Sequence, residues 1–181
     1  MSVIKRILRK IKLKLANRSW NSKREYLRKQ GAVIGDRTRF NGGVDTLGTE
    51  PYLVTVGSDC LFAGGVNIFT HDGGVSVLNN LGCFDGKKME KMARVKIGNN
   101  VYVGAGAKIM MGVTIGDNCI IGAGAIVTKD IPDNSVAVGI PAKRIKSVEE
   151  YYNDAVAREQ IYCTDGMSSK KKKEYLKNCV K

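Results

Sequence analysis

Residues 95 to 132 read VKIGNNVYVGAGAKIMMGVTIGDNCIIGAGAIVTKDIP, and an aliphatic residue recurs there every six positions: Ile97, Val103, Ile109, Ile115, Ile121 and Val127. Four residues after each stands another apolar or small one, namely Val101, Ala107, Val113, Cys119, Ala125 and Ile131. A period of six belongs to neither a strand nor a helix, and self-similarity at a fixed step marks a repeat architecture. Spacings of four and six partly mimic a helical stripe. Glycine excludes that reading, because Gly98, Gly104, Gly106, Gly112, Gly116, Gly122 and Gly124 would each cost about 1 kcal/mol relative to Ala inside a helix. If each hexapeptide is one short strand plus one corner, three of them close a triangular turn. The i and i+4 side chains then point inward, and the corners fall to Gly, Asn and Asp. Stacked turns make an all-β parallel solenoid with a continuous apolar core.

The run Ile97-Gly98-Asn99-Asn100-Val101, the run Ile115-Gly116-Asp117-Asn118-Cys119 through Ile131-Pro132, and Gly139-Ile140-Pro141-Ala142-Lys143 together resemble the hexapeptide-repeat acyltransferase superfamily. The similarity is greatest to its galactoside, maltose and xenobiotic O-acetyltransferase branch and spans residues 31–145. It implies a left-handed parallel β-helix of hexapeptide repeats with an extruded loop and N- and C-terminal helices. That hand departs from the right-handed rule for parallel crossovers and rests on the resemblance alone.

The chain divides accordingly into a basic amphipathic segment at 1–30, a β-helix at 31–145 and a helical tail at 146–181. In the first segment Ile4, Ile7, Leu8, Ile11 and Leu15 follow helical spacing, with Lys5, Arg6, Arg9, Lys10, Lys12 and Lys14 between them. Such a helix either packs on the solenoid with a solvated basic face or lies on an anionic membrane through residues 2–16. Ser19 to Gln30 reads as a second helix. The repeats open at Ile34-Gly35-Asp36, slip in register around Asp45 to Thr55, and resume from Val56 to His71. Residues 72–94 break the pattern, as an extruded loop at a corner does. After Val127 a stop is expected at Ile131-Pro132, since proline cannot donate to a further ladder. Ser147 to Gln160 and Ser168 to Val180 read as helices, the second carrying the lysine run 170–173.

A chain of 181 residues suits one domain with short appendages. The formal charge of +13 is concentrated at the two ends, so it belongs to the appendages and not to the repeats. Five widely spaced cysteines without a CxxC pair argue against a disulfide or zinc framework and for a reducing, cytoplasmic location, peripheral to a membrane if the first helix binds one. No apolar run approaches the length of a spanning helix, and the N-terminus lacks the apolar core of a secretion signal.

His71 is the single histidine, placed where a repeat ends and the long loop begins. Thr70-His71-Asp72 stands where the similar acetyltransferases carry their catalytic histidine. An imidazole, whose ordinary pKa is about 6.5, can take a proton from a hydroxyl at neutral pH, and this makes His71 the expected general base. Asp72, Glu50 or a backbone carbonyl can fix its tautomer, and Glu50 and Asp72 are also the candidates for acceptor contact. The resemblance further implies acetyl-CoA as donor and no metal. It implies Gly104, Ala105 and Gly106 near the thioester oxygen, Ala123 and Gly124 beside the pantetheine arm, and Tyr102 as its aromatic neighbour. Thr128, Lys129, Lys143 and Arg144 are implied to meet the phosphates. Each of these also has a plainer reading, since small residues serve corners and lysines serve solubility.

A solenoid carbonic anhydrase needs three histidine ligands, and the chain has one. No P-loop or nucleic-acid module is present, so no nucleic-acid partner is expected. The expected reaction is O-acetylation of a sugar or glycan acceptor in surface polysaccharide assembly, by a homotrimer with active sites between subunits. Acetylation of an amino sugar or of a xenobiotic is the rival enzyme reading, and a non-catalytic scaffold is the rival class.

Overall fold

The structure, a computed structural model, describes residues 3 to 180, and in the first helix the side chains at 7, 8 and from 10 onward. Residue 2 and the side chains of Ile4, Lys5, Arg6 and Arg9, which belong to the predicted membrane-facing segment, lie outside the described set.

The chain opens with α1 (Val3–Ala16) and α2 (Trp20–Lys29). Short strands follow: β1 (Val33–Ile34), β2 (Arg39–Phe40), β3 (Val54–Val56), β4 (Leu61–Phe62) and β5 (Asn67–Ile68). After the loop come β6 (Val95–Ile97), β7 (Tyr102–Val103), β8 (Lys108–Ile109), β9 (Thr114–Ile115), β10 (Ile120–Ile121) and β11 (Ile126–Val127). From β3 to β11, successive strands join successive sheets. Sheet A runs β1-β3-β6-β9, sheet B contains β2-β4-β7-β10, and sheet C contains β5-β8-β11, all paired in parallel. Lys96 pairs with Thr114, Tyr102 with Ile120 and Lys108 with Ile126, each eighteen residues on, so three hexapeptides make one turn.

The two inward positions of every repeat form the core. Ile97, Val101, Val103, Ala107, Ile109, Val113, Ile115, Cys119, Ile121, Ala125 and Val127 are all at most 2% exposed. The stacked rings of Phe40 and Phe62, 4.8 Å apart, fill the first turns. One corner shows why its residue types recur. The Ser58 N–H donates to Asn99 Oδ1, the Asn99 N–H to Asp117 Oδ1 and the Asp117 N–H to Asp133 Oδ1, at 2.9, 2.6 and 2.8 Å. A Cβ at Gly98 would lie 2.2 Å from Asp117 Oδ1, so only glycine lets the ladder close. The next residue is left-handed at each rung, with φ between 54° and 61° at Arg37, Asp59, Asn100, Asn118 and Asn134, and Asn and Asp adopt that region most readily after glycine.

The first turn has no turn before it, and α2 supplies what is missing. In the second turn the carbonyls of Val56, Cys60 and Phe62 accept from the N–H groups of Gly35, Arg39 and Asn41. Their counterparts in the first turn, Ile34, Thr38 and Phe40, accept instead from Arg28, Arg24 and Lys23. Lys23 Nζ reaches both Phe40 O and Gly42 O, at 2.8 and 2.6 Å, and is itself buried. Orphaned buried carbonyls cost roughly 1–3 kcal/mol each. Lys23→Met is therefore expected to lose about 2–4 kcal/mol, read from the urea midpoint. Lys29→Met, on the exposed side of the same helix, should stay within about 0.5 kcal/mol. Equal midpoints for the two variants would refute the capping role.

One sequence expectation needs correction. Parallel stacking does not stop at Pro132, because β12 (Ser135–Gly139) adds to β10 in parallel before β13 (Ala142–Ser147) folds back antiparallel. Gly98 N–H donates to Ile115 O and Gly116 N–H to Ile131 O, so the equivalent donor at Pro132 would face a rung that sheet A does not have. Proline ends sheet A alone. The extruded loop, for its part, is structured. Its ends are zipped by an antiparallel His71–Met92 bridge, by Asp72 N–H on Lys91 O and by Ala93 N–H on Thr70 O. It also carries α3 (Val75–Asn80), whose Asn79 side chain both donates to and accepts from the Met89 backbone. The tail holds α4 (Val148–Ala157), started by a Ser147–Glu150 capping box, and α5 (Ser169–Cys179). Among the described residues no helix is long and apolar enough to cross a membrane.

Candidate active site

His71 follows β5 at the edge where sheet C gives way to the loop. Its Nδ1 lies 2.9 Å from Glu50 Oε2. Glu50 stands in the irregular first turn, just before a 3₁₀ turn at Pro51–Leu53, and is held from both sides. Thr49 donates to its Oε1 and the buried Thr70 to its Oε2, each at 2.6 Å. These hydroxyls, with a smaller contribution from the imidazole, lower the Glu50 pKa from 4.5 to about 2. A depressed carboxylate pKa means the network stabilises the fold above pH 4.5 and is lost as the pH falls toward 2.

An ionised carboxylate can only accept, so Nδ1 of His71 carries the N–H, and in the neutral imidazole Nε2 is the nitrogen with the free lone pair. The His71 side chain is 48% exposed while Glu50 is 17% exposed, so the imidazole is open and its partner sheltered. A cavity of about 320 Å³ adjoins them, lined also by Asp72, Asn79, Met89 and Met92. Asp72 does not touch the imidazole. Its carboxylate takes Lys91 Nζ at 2.8 Å and the Gly74 N–H at 2.9 Å, which hold its pKa below the usual range. A wider cleft of about 720 Å³ separates α1 from α2, but its lining offers neither histidine nor cysteine to act as base or nucleophile.

The small residues form a column at the other edge of sheet C. Phe62, Val103 and Ile121 are in register, which stacks Gly64, Ala105 and Ala123 two positions later. Gly106 N–H donates to Gly64 O and Gly124 N–H to Ala105 O. The N–H groups of Ala105 and Ala123 make no hydrogen bond among the described residues. Gly104 needs to be glycine, because a Cβ there would lie 2.4 Å from Ala123 N. Lys143 pairs with Val138, and Arg144 with Ala137 beside Ile121, so both lie two strands beyond β10, where this column ends. Tyr102 is 41% exposed on the outer face of sheet B, between Leu61 and Ile120. Thr128 and Lys129 sit on the His71 edge, two rungs further along.

One chain thus gathers Glu50, His71 and Asp72 at one edge and Gly104, Ala105, Ala123 and Gly124 at the other. Six residues, 65–70, separate the two edges along the chain, a distance of at most about 20 Å. Sequence reasoning missed Thr49 and Thr70 as the supports of Glu50, although each is the immediate neighbour of a residue it singled out. Among the described residues no three His, Cys, Asp or Glu side chains converge as a metal site.

A model of the bacterial transferase hexapeptide, six repeats long, matches residues 94–129. Protein CapG of Staphylococcus aureus is 42% identical over 176 residues, covering 96% of this chain and 97% of that protein. The chain belongs to the hexapeptide-repeat acyltransferase family. Its similarity to another member, the polysialic acid O-acetyltransferase of Escherichia coli O1:K1, is 44% over 115 residues, 63% of this chain but only 36% of that protein. A solved structure of the family, a galactoside acetyltransferase in complex with coenzyme A, superposes with a TM-score of 0.58 at 29% identity, over 82% of this chain and 83% of that one.

Proposed function

We propose that this acyltransferase moves an acetyl group from acetyl-CoA to a sugar hydroxyl, in the assembly of a surface polysaccharide, with His71 as general base. The observation that carries the reading is the Glu50–His71 pair at the edge of a cavity, which ties up Nδ1 and leaves Nε2 as the nitrogen that can take a proton. Support for the donor comes from the coenzyme A complex of the galactoside enzyme. Support for the acceptor comes from that enzyme and from the polysialic acid enzyme.

In the proposed reaction the acceptor oxygen attacks the thioester carbon while its proton passes to His71 Nε2. The imidazolium that forms stays bonded through Nδ1–H to the Glu50 carboxylate. The oxyanion takes the free N–H at Ala105, where the absent side chain bulk permits close approach. Collapse of the intermediate expels the CoA thiolate, which recovers the proton from Nε2.

A single chain holds the two halves of this arrangement at opposite edges of sheet C, and a homotrimer would bring a half from each of two neighbouring chains together. The His71 edge of one left-handed coil would face the Ala105–Ala123 column of its neighbour, which accommodates the pantetheine arm beside Tyr102. Lys143 and Arg144 from the column side and Thr128 and Lys129 from the His71 side would then converge on the phosphates. Purified protein supplied with acetyl-CoA and a panel of saccharides tests the reading, with release of free thiol as the signal.

A further inference from the structure

Among its described side chains, α1 meets the core through Ala16, which is buried in it, and Leu13, which packs against it. Ile7, Leu8, Ile11 and Leu15 are instead 45–52% exposed. At about 100° per residue, these four fall within a sector roughly 100° wide, while Leu13 and Ala16 lie roughly opposite. Lys12 borders the apolar sector on one side, and Lys10 and Lys14 on the other.

The charge around this stripe is of one sign. Nine basic residues precede the first acidic one, Glu25. Lys23 and Arg24 are turned inward onto carbonyls of the first turn, but Lys10, Lys12 and Lys14 form no ion pair among the described residues. We propose that α1 is a docking surface for an anionic lipid membrane, its aliphatic stripe entering the acyl boundary while the bordering lysines meet phosphate headgroups. A second copy of the chain is a poorer occupant. Pairing two such stripes would set the same lysines against one another, where like charges oppose association. The placement also suits the candidate site. α2 caps the first turn, Glu50 lies in that turn, and His71 lies in the turn stacked next to it, so the cavity is close to the helical end.

The test is co-sedimentation of the full chain with vesicles of phosphatidylcholine alone and of phosphatidylcholine with phosphatidylglycerol. Binding to the anionic vesicles at low salt is expected to exceed that to neutral ones by at least about tenfold. It should fall toward the neutral level once salt brings the Debye length to about 3 Å. The double variant Leu8→Glu, Ile11→Glu should lose vesicle binding while keeping its urea midpoint and its solution mass, because both side chains point away from the core. Three results overturn the proposal: no excess on anionic vesicles, undiminished binding by the double variant, or a changed solution mass in that variant, which would make the stripe a contact between copies.

Discussion

His71→Ala is expected to lower kcat by about 10²- to 10⁴-fold, with the KM values for acetyl-CoA and acceptor little changed. In the proposed mechanism the residue removed is a proton acceptor and not a binding group, so its loss should fall on the chemical step. Glu50→Gln should cost less, about 10- to 100-fold, which is the scale of an outer partner that orients an imidazole. Glu50 Oε2 receives both Thr70 and His71 whereas Oε1 receives only Thr49. The amide oxygen of a glutamine would therefore take the Oε2 place, keep the tautomer and lose only the charge that steadies the imidazolium. A purely structural pair would behave otherwise, with lower urea midpoints and higher KM accompanying the lost turnover. Unchanged kcat in His71→Ala would remove the mechanism.

The second large effect is expected from mixing two inactive proteins. His71→Ala disables one edge of sheet C, and Ala123→Trp would block the column at the other. If each site takes His71 from one subunit and the column from the next, trimers unfolded and reassembled from an equal mixture contain some sites built from two intact edges. Random assortment makes these roughly a quarter of all sites, so about a quarter of the wild-type turnover should return. Should both edges belong to one chain after all, every site would carry a lesion and the mixture would stay as inactive as its components.

The core was legible because every turn restates it. Ile97 and Val101 announce two inward positions, and eighteen residues later Ile115 and Cys119 repeat them on the same sheet. The Glu50–His71 contact had no such redundancy. It spans the first turn, where the period gives way to 3₁₀ turns at Val44–Leu47 and Pro51–Leu53, so no spacing rule connects position 50 with position 71. Asp72, the nearer carboxylate in sequence, was an equal candidate for the imidazole, but the zipped loop brings Lys91 to it. The role of α2 was hidden for a different reason. Lys23, Arg24 and Arg28 were visible only as part of a second helix, and only the missing rung beneath β1 and β2 explains why they turn inward. Pro132 misled in the same way, since its lost donor matters to sheet A while β12 extends sheet B.

The central claim is transfer of an acetyl group to a carbohydrate oxygen, and the chemistry of the product tests it most directly. Incubating the protein with acetyl-CoA and the saccharide panel, then treating the acetylated product with mild alkali, separates an ester from an amide. The account predicts stoichiometric thiol release with a sugar acceptor, and a product from which alkali regenerates the free hydroxyl. An alkali-stable product formed only with amino sugars, or no acetyl transfer to any saccharide, would contradict it.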